Sequence, residues 1–140
     1  MRQDPRSTCP ISTGLEIVGD RWTLLVIRDM MFAGKRHFRE FLQSEEGISS
    51  NVLADRLAML VDRGLVTRAG DPAHAQKAIY SLTEQGIALL PVIASLSRWT
   101  QVHFPATRRP EARVFLEGDT AAIDAMQQAL RREHLKASGR

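Results

Sequence analysis

Ser49, Ser50 and Asn51 stand directly before a run with helical apolar spacing, Leu53, Leu57 and Leu60, flanked by Val61. Polar residues at a helix start can do two kinds of chemistry. The free first-turn N–H groups and the positive dipole end suit an anion such as a phosphate. An Asn amide donates and accepts side by side, so it can pair bidentately with adenine in a major groove. Ser49 is expected to cap the helix, its hydroxyl accepting from a first-turn amide. Ser50 and Asn51 are expected to face DNA. Asp55, one turn on, would repel a phosphate, and in a groove it would accept from a cytosine amino group or stay at a distance. Arg56 has two open readings, a phosphate contact or an ion pair with Asp55, Asp62 or Glu40.

A second cluster, Lys35-Arg36-His37-Phe38-Arg39, precedes this block. Arg36 and Arg39 are expected to contact phosphates, and His74, Gln76 and Lys77 to extend that grip further along the chain. Each phosphate so neutralised makes binding more sensitive to salt. Cys9 is the single cysteine and sits beside Pro10, at or near a helix start. A helix dipole there lowers a thiol pKa and raises the thiolate fraction. The alternative is a small buried residue, since free cysteines are commonly buried. With one cysteine per chain, a disulfide framework or an intramolecular disulfide switch is excluded.

The elements that must position these residues follow from periodicity and capping signals. Pro10 to Val18 reads as a short helix, with Gly19 a suitable C′ residue and Asp20 an N-cap for a second helix over about 21–33. Trp22, Leu25, Val26, Asp29, Met30 and Ala33 share one side of it, and Gly34 can stop it. Phe38, Phe41 and Leu42 mark a short third helix, residues 44–48 a turn, and residues 49–63 a fourth helix ended by Gly64. Its opposite face, Ser50, Asn51, Ala54, Asp55 and Ala58, is small and polar, which permits close approach to a partner surface. Leu65–Arg68 and Ala78–Leu82 read as strands of a hairpin around the turn residues 70–74. Thr83 can cap a fifth helix, about 84–103, kinked at Pro91. Residues 105–110 read as a basic linker, residues 113–116 as loop with a short extended stretch, and about 121–136 as a last helix. The fold class is mainly α with a small antiparallel β-hairpin, a helix-turn-helix running into a wing. That layout places one helix in a major groove.

The bulk numbers bound the reading. The chain has 140 residues, 44% apolar and 6% aromatic, which suits one modest core with an appended arm. The expected division is a flexible N-terminus over 1–8, a winged helix-turn-helix domain with flanking helices over 9–103, and a linker with a C-terminal helix over 104–140. No apolar run is long enough to span a bilayer, and residues 1–8 carry no apolar leader, so no membrane partner is expected and the cytoplasm is the default location. The net charge is +3 and the pI about 9.6. Residues 1–103 hold 12 basic and 11 acidic residues, and 104–140 hold 7 and 5. Charge is spread along the chain, so a nucleic-acid case rests on local placement. The four histidines and one cysteine lack ligand spacing, so no metal or other cofactor is expected. There is no Gly-rich phosphate loop, nucleophile elbow or paired carboxylate set, so no enzyme is expected. Trp22, Trp99, Phe104 and Phe115 could line a small-molecule pocket; the commoner use of such aromatics is core.

Cys9-Pro10, Gly19-Asp20-Arg21-Trp22-Thr23-Leu24-Leu25, Phe38-Arg39-Glu40-Phe41, the Gly47–Gly64 block and Tyr80-Ser81-Leu82-Thr83-Glu84-Gln85-Gly86 together resemble the HxlR-type regulators. These are bacterial winged helix-turn-helix transcription factors, and the resemblance covers about residues 9–100. It implies a homodimer built on the N-terminal helix and the helix after the wing, with double-stranded DNA as partner and one recognition helix in each half of an inverted repeat. It also brings redox and electrophile sensors that use a cysteine at the place of Cys9, hence a thiol-reactive or small-molecule effector. This chain departs from its relatives in carrying Asn51 where a basic residue is frequent and in a wing loop, 71–77, without arginine. Asp71 there adds negative charge near an expected phosphate. A winged helix used for protein binding, without sequence-specific DNA contact, is the alternative.

Overall fold

The computed structural model describes residues 6–135, with the side chains of Ala75 and Gln76 outside the description. The flexible stretch expected over 1–8 therefore falls largely outside it, as does the end of the last helix at Lys136. The chain divides into two compact units, Met1–Tyr80 and Ser81–Arg140. The boundary expected at 103/104 falls inside the second unit.

The first unit begins with α1, Pro10–Val18, whose proline occupies the first turn, where its missing N–H costs nothing. Gly19 ends it in a right-handed, not left-handed, conformation. Glycine is needed there for space, since a Cβ would lie 2.3 Å from the Leu15 carbonyl oxygen. Asp20 caps the turn into α2, Thr23–Phe32, accepting from the amides of Trp22 and Thr23 at 2.9 and 3.0 Å. Helix α2 starts two residues later than expected because Asp20 holds that turn outside the helix proper. Gly34, at φ +65°, stops it. Val26, Ile27 and Met30 are buried.

Helix α3, Phe38–Phe41, is a single turn, and α4 spans Ser50–Asp62. Leu53, Leu57 and Leu60 of α4 are wholly or almost wholly buried, as expected. Val61, expected beside them, is exposed, and Met59 is buried instead. Gly64 terminates the helix at φ +80°, a left-handed conformation that costs other residues about 1–2 kcal/mol. The hairpin pairs β1, Val66–Asp71, with β2, His74–Leu82. Its strands reach further than the apolar residues suggested. The turn is only Pro72-Ala73, so backbone pairing continues through exposed polar residues where burial has ended. Phe41 and Tyr80, both buried, meet edge to face at 6.3 Å.

In the second unit the expected kinked helix is two helices, α5, Glu84–Ile87, and α6, Leu90–His103. Pro91 starts a helix here instead of bending one, which suits its fixed φ. Thr83 caps α5 by accepting from Gly86 at 3.2 Å. Two 3-10 turns, Pro105–Thr107 and Pro110–Ala112, replace a plain linker. Residues Arg113–Glu117 form α7, not an extended stretch, closed by Gly118 at φ +66°. The last helix, α8, is Thr120–Leu130, capped by Asp119 and followed by a π turn over Arg131–Leu135. His134 is fully buried, and its Nδ1 accepts from the Leu82 amide at 3.0 Å. Among the described residues no helix is long and apolar enough to cross a membrane.

Candidate nucleic-acid interface

The start of α4 is presented as its pattern requires. Ser49 accepts from the Val52 amide at 3.3 Å and so is the cap. Ser50, Asn51, Ala54, Asp55 and Ala58 are exposed on the side away from the buried leucines. Asn51 has no hydrogen-bond partner among the described residues. Its amide is therefore open to an external donor–acceptor pair. Glu46 positions the turn before this helix. It takes both terminal nitrogens of Arg28, from α2, at 2.7 and 2.8 Å, and the Ser44 hydroxyl at 2.8 Å. The Arg28 guanidinium holds the Glu46 carboxyl at about 2, against the opposing effect of burial. Arg28 also binds the buried Asp29, which in turn takes Lys35 at 3.2 Å. Lys35 is thus committed within the protein.

Arg56 makes ion pairs within the protein. It is paired with Asp55 and, at 3.3 Å, with Asp20 before α2. The hydrogen bond to Asp55, against some desolvation, raises its pKa, and Asp20 adds to the effect. Asp20 itself is lowered: burial opposes ionisation, and the Thr23 hydroxyl and two backbone amides outweigh it. Of the partners offered by sequence only Asp55 is used, and Asp20 was missed. It lies 36 positions away, beyond any local pattern. Asp55, expected to read or avoid the groove, has its charge compensated by Arg56 while remaining exposed.

Helix α3 and the hairpin enclose a groove of about 400 Å³ lined by His37, Phe38, Arg39, Arg68, Lys77 and Tyr80, among others. Arg39 and Lys77 are exposed and have no hydrogen-bond or ion-pair partner among the described residues. Arg68, which sequence reasoning did not single out, donates to the Tyr80 hydroxyl at 3.3 Å. It is the single arginine of the hairpin, which was the available signal. Arg36 is engaged inward: its Nε donates to the Tyr80 carbonyl at 2.6 Å while its own carbonyl accepts from the Tyr80 amide at 2.8 Å. His74 is exposed at the start of β2, and the Gln76 side chain lies outside the described residues.

Asp71 does not present a bare negative charge. Its two oxygens take the Ala73 amide at 2.8 Å and His37 Nε2 at 2.7 Å. The Ala73 amide, then His37, hold its pKa below the usual carboxylate value. Among the aromatics, Trp99 and Phe104 are exposed, Phe115 is buried and Trp22 is half-buried under the Arg21 guanidinium. Within the single chain Cys9 is exposed, at the N-cap of α1. The backbone amides of Ser12 and then Ile11 hold its thiol below the ordinary value.

An HxlR-like helix-turn-helix family model matches residues 17–108. The chain belongs to that family. In HxlR terms α3 and α4 are the helix-turn-helix and β1–β2 the wing. Cys9 precedes the matched span, as do the first seven residues of α1. Rv3095 of Mycobacterium tuberculosis, named an uncharacterised HTH-type transcriptional regulator, is 39% identical over 101 residues, covering 72% of this chain and 61% of that protein. The match thus spans less than two thirds of the mycobacterial relative. The HTH-type transcriptional regulator YodB of Bacillus subtilis is 36% identical over 92 residues, covering 65% of this chain and 81% of YodB. Its reduced-form structure is similar at a TM-score of 0.57 with 32% identity, over 68% of this chain and 93% of that one. YodB has also been solved quinone-bound and diamide-treated. PA1607, described as a candidate transcription factor, is similar at a TM-score of 0.64 with 32% identity, over 75% of this chain and 70% of that one.

Proposed function

We propose that this protein is a sequence-specific, double-stranded-DNA-binding transcriptional regulator, acting from the cytoplasm as a homodimer on an inverted-repeat operator. The observation that carries the reading is the exposed first turn of α4. It offers free amides around Ser49 and Ser50 and an unpartnered Asn51, on a helix anchored by buried Leu53, Leu57 and Leu60. Asn51 reads a base edge, and Arg39 and Lys77 grip phosphates on either side of the groove. Arg68 and His74 supply further positive or polar character beside them, with Gln76 in the same strand. Arg36 and Arg56 act mainly by holding the wing and α4 in place. Bases rather than phosphates are the target of α4, because Arg56, its one cation, is paired with Asp55 and Asp20 and the helix has no net positive charge.

Dimerisation is supported by apolar side chains left exposed. Ile11 and Leu15 on α1 are 75% and 60% exposed, and Leu96 and Trp99 on α6 are 52% and 56%. Large apolar side chains exposed along a helix face, on α1 and on α6 alike, mark interaction surfaces. A thiol-reactive signal is supported by Cys9, an exposed and acidified thiol, and by the quinone-bound form of the YodB relative. A thiolate adds directly to an electrophilic quinone carbon, so one cysteine per chain suffices; a protein disulfide would instead need Cys9 of a second protomer.

Titration of duplex DNA from the protein's own promoter region at low and rising salt tests the reading. Specific, salt-sensitive binding is expected, with Asn51→Ala altering sequence preference. Cys9→Ser should abolish the release of DNA by a quinone or by diamide. Absence of binding at low salt would favour a winged helix serving protein contacts.

A further inference from the structure

His37 is the N-cap residue of α3 and its ring stands between two carboxylates. Nδ1 lies 3.2 Å from Glu40 Oε1 and Nε2 lies 2.7 Å from Asp71 Oδ2. Glu40 is held ionised by the amides of Arg36 and His37, which it accepts at 2.8 and 2.9 Å. Asp71 is held ionised by the Ala73 amide. An ionised carboxylate only accepts, so Nε2 is the donor to Asp71. On its other side the ring is fixed on α3 by the capping box it shares with Glu40, whose carboxylate accepts from the His37 amide.

The position of this contact gives it leverage. The hairpin is buried at its base, where Val66 and Tyr80 lie, and becomes exposed beyond it. A two-stranded ribbon is marginal by itself. Asp71 is the last residue of β1, and at roughly 3.3 Å per residue it lies on the order of 16 Å from Val66 along the strand. His37 therefore joins the first helix of the helix-turn-helix to the far end of the wing, where His74 and, beyond it, Lys77 are carried. The Asp71 side chain, 9% exposed, is well enclosed for a charged residue at a hairpin tip. The charged groups around the ring are Glu40 and Arg39 from α3, and Asp71, Arg68, Lys77 and His74 from the hairpin.

We propose that His37, donating from Nε2 to Asp71 and braced by its capping box with Glu40, is the positioning residue that sets the wing for DNA. This rests on the DNA-binding reading above. Its basis is chain-specific geometry: a histidine in the basic cluster and an aspartate in the wing, paired across 34 residues.

A double-mutant cycle of His37→Ala and Asp71→Ala tests it, first without DNA. Nitrogen relaxation of the Gly70 and Ala73 amides should show each single variant loosening the tip, and the double variant loosening it no further. Tip amides as ordered in His37→Ala as in the parent protein would overturn the proposal, as would additive effects. On DNA, each single variant should weaken binding by about tenfold, the size of one charge-assisted hydrogen bond, and the double by no more. If the parent protein binds no DNA, the DNA-binding reading fails, while tip order in the cycle still decides the tether.

Discussion

Arg39→Ala separates grip from reading. Arg39 and Lys77 are the two cations of the α3–wing groove that are exposed and unpartnered among the described residues. Lys35, Arg36, Arg56 and Arg68 are all engaged within the protein. In a dimer the free pair occurs twice, which makes four phosphate contacts. At about 0.9 per contact, log K should fall against log salt with a slope near −3.6 from these residues, or about 150-fold between 50 and 200 mM salt. Arg39→Ala removes two contacts and should flatten the slope by about 1.8, worth roughly 12-fold over the same range. Fluorescence anisotropy of a labelled operator duplex across that salt series reads it directly. Relative affinity for mutated operators should stay constant, because a phosphate contact carries no base information. The thermal midpoint should not move, since no internal partner is lost. An unchanged slope, or a shift in sequence preference, would refute the assignment of free cations to phosphates.

Leu60→Ala should destabilise the protein by about 2–5 kcal/mol in urea unfolding, because the side chain is fully buried on the inner face of α4. Glu46 is held at about 2, below its ordinary 4.5. Its pairing with Arg28 therefore contributes stability in full above about pH 4.5 and loses it as pH falls toward 2. Glu46→Gln should accordingly narrow the drop in melting temperature between pH 5 and 3, read by circular dichroism; an equal drop in both proteins would contradict this. Leu96→Glu, in the exposed stripe of α6, should shift a dimer to monomer in sedimentation without lowering helix content. An unchanged sedimentation coefficient would place the dimer contact elsewhere.

Much of the fold was legible because its signals are local. The Ser49 cap, the buried Leu53, Leu57 and Leu60, and the stops at Gly34 and Gly64 all stand as their spacing required. Errors came where a local signal had two uses. Pro91 can kink a helix or start one, and it starts α6. Residues 113–116 are short and apolar enough for either strand or helix, and neighbouring helices of the second unit decide for α7. Met59 and Val61 flank the leucine stripe on opposite sides, where neighbours choose which is covered.

The interface divides along the same line. The types and spacing of Ser49–Asn51, the basic run before α3 and the family pattern are properties of neighbouring residues, so the sequence alone determined a winged helix-turn-helix and the face it presents. Which charges remain available to a ligand is a property of distant pairs. Arg56 with Asp20, Arg36 with Tyr80, Arg28 with Glu46 and His37 with Asp71 are separated by 18 to 44 positions. Only the tertiary structure decides them, because an ion's role depends on which opposite charge lies within a few ångströms once the chain has folded.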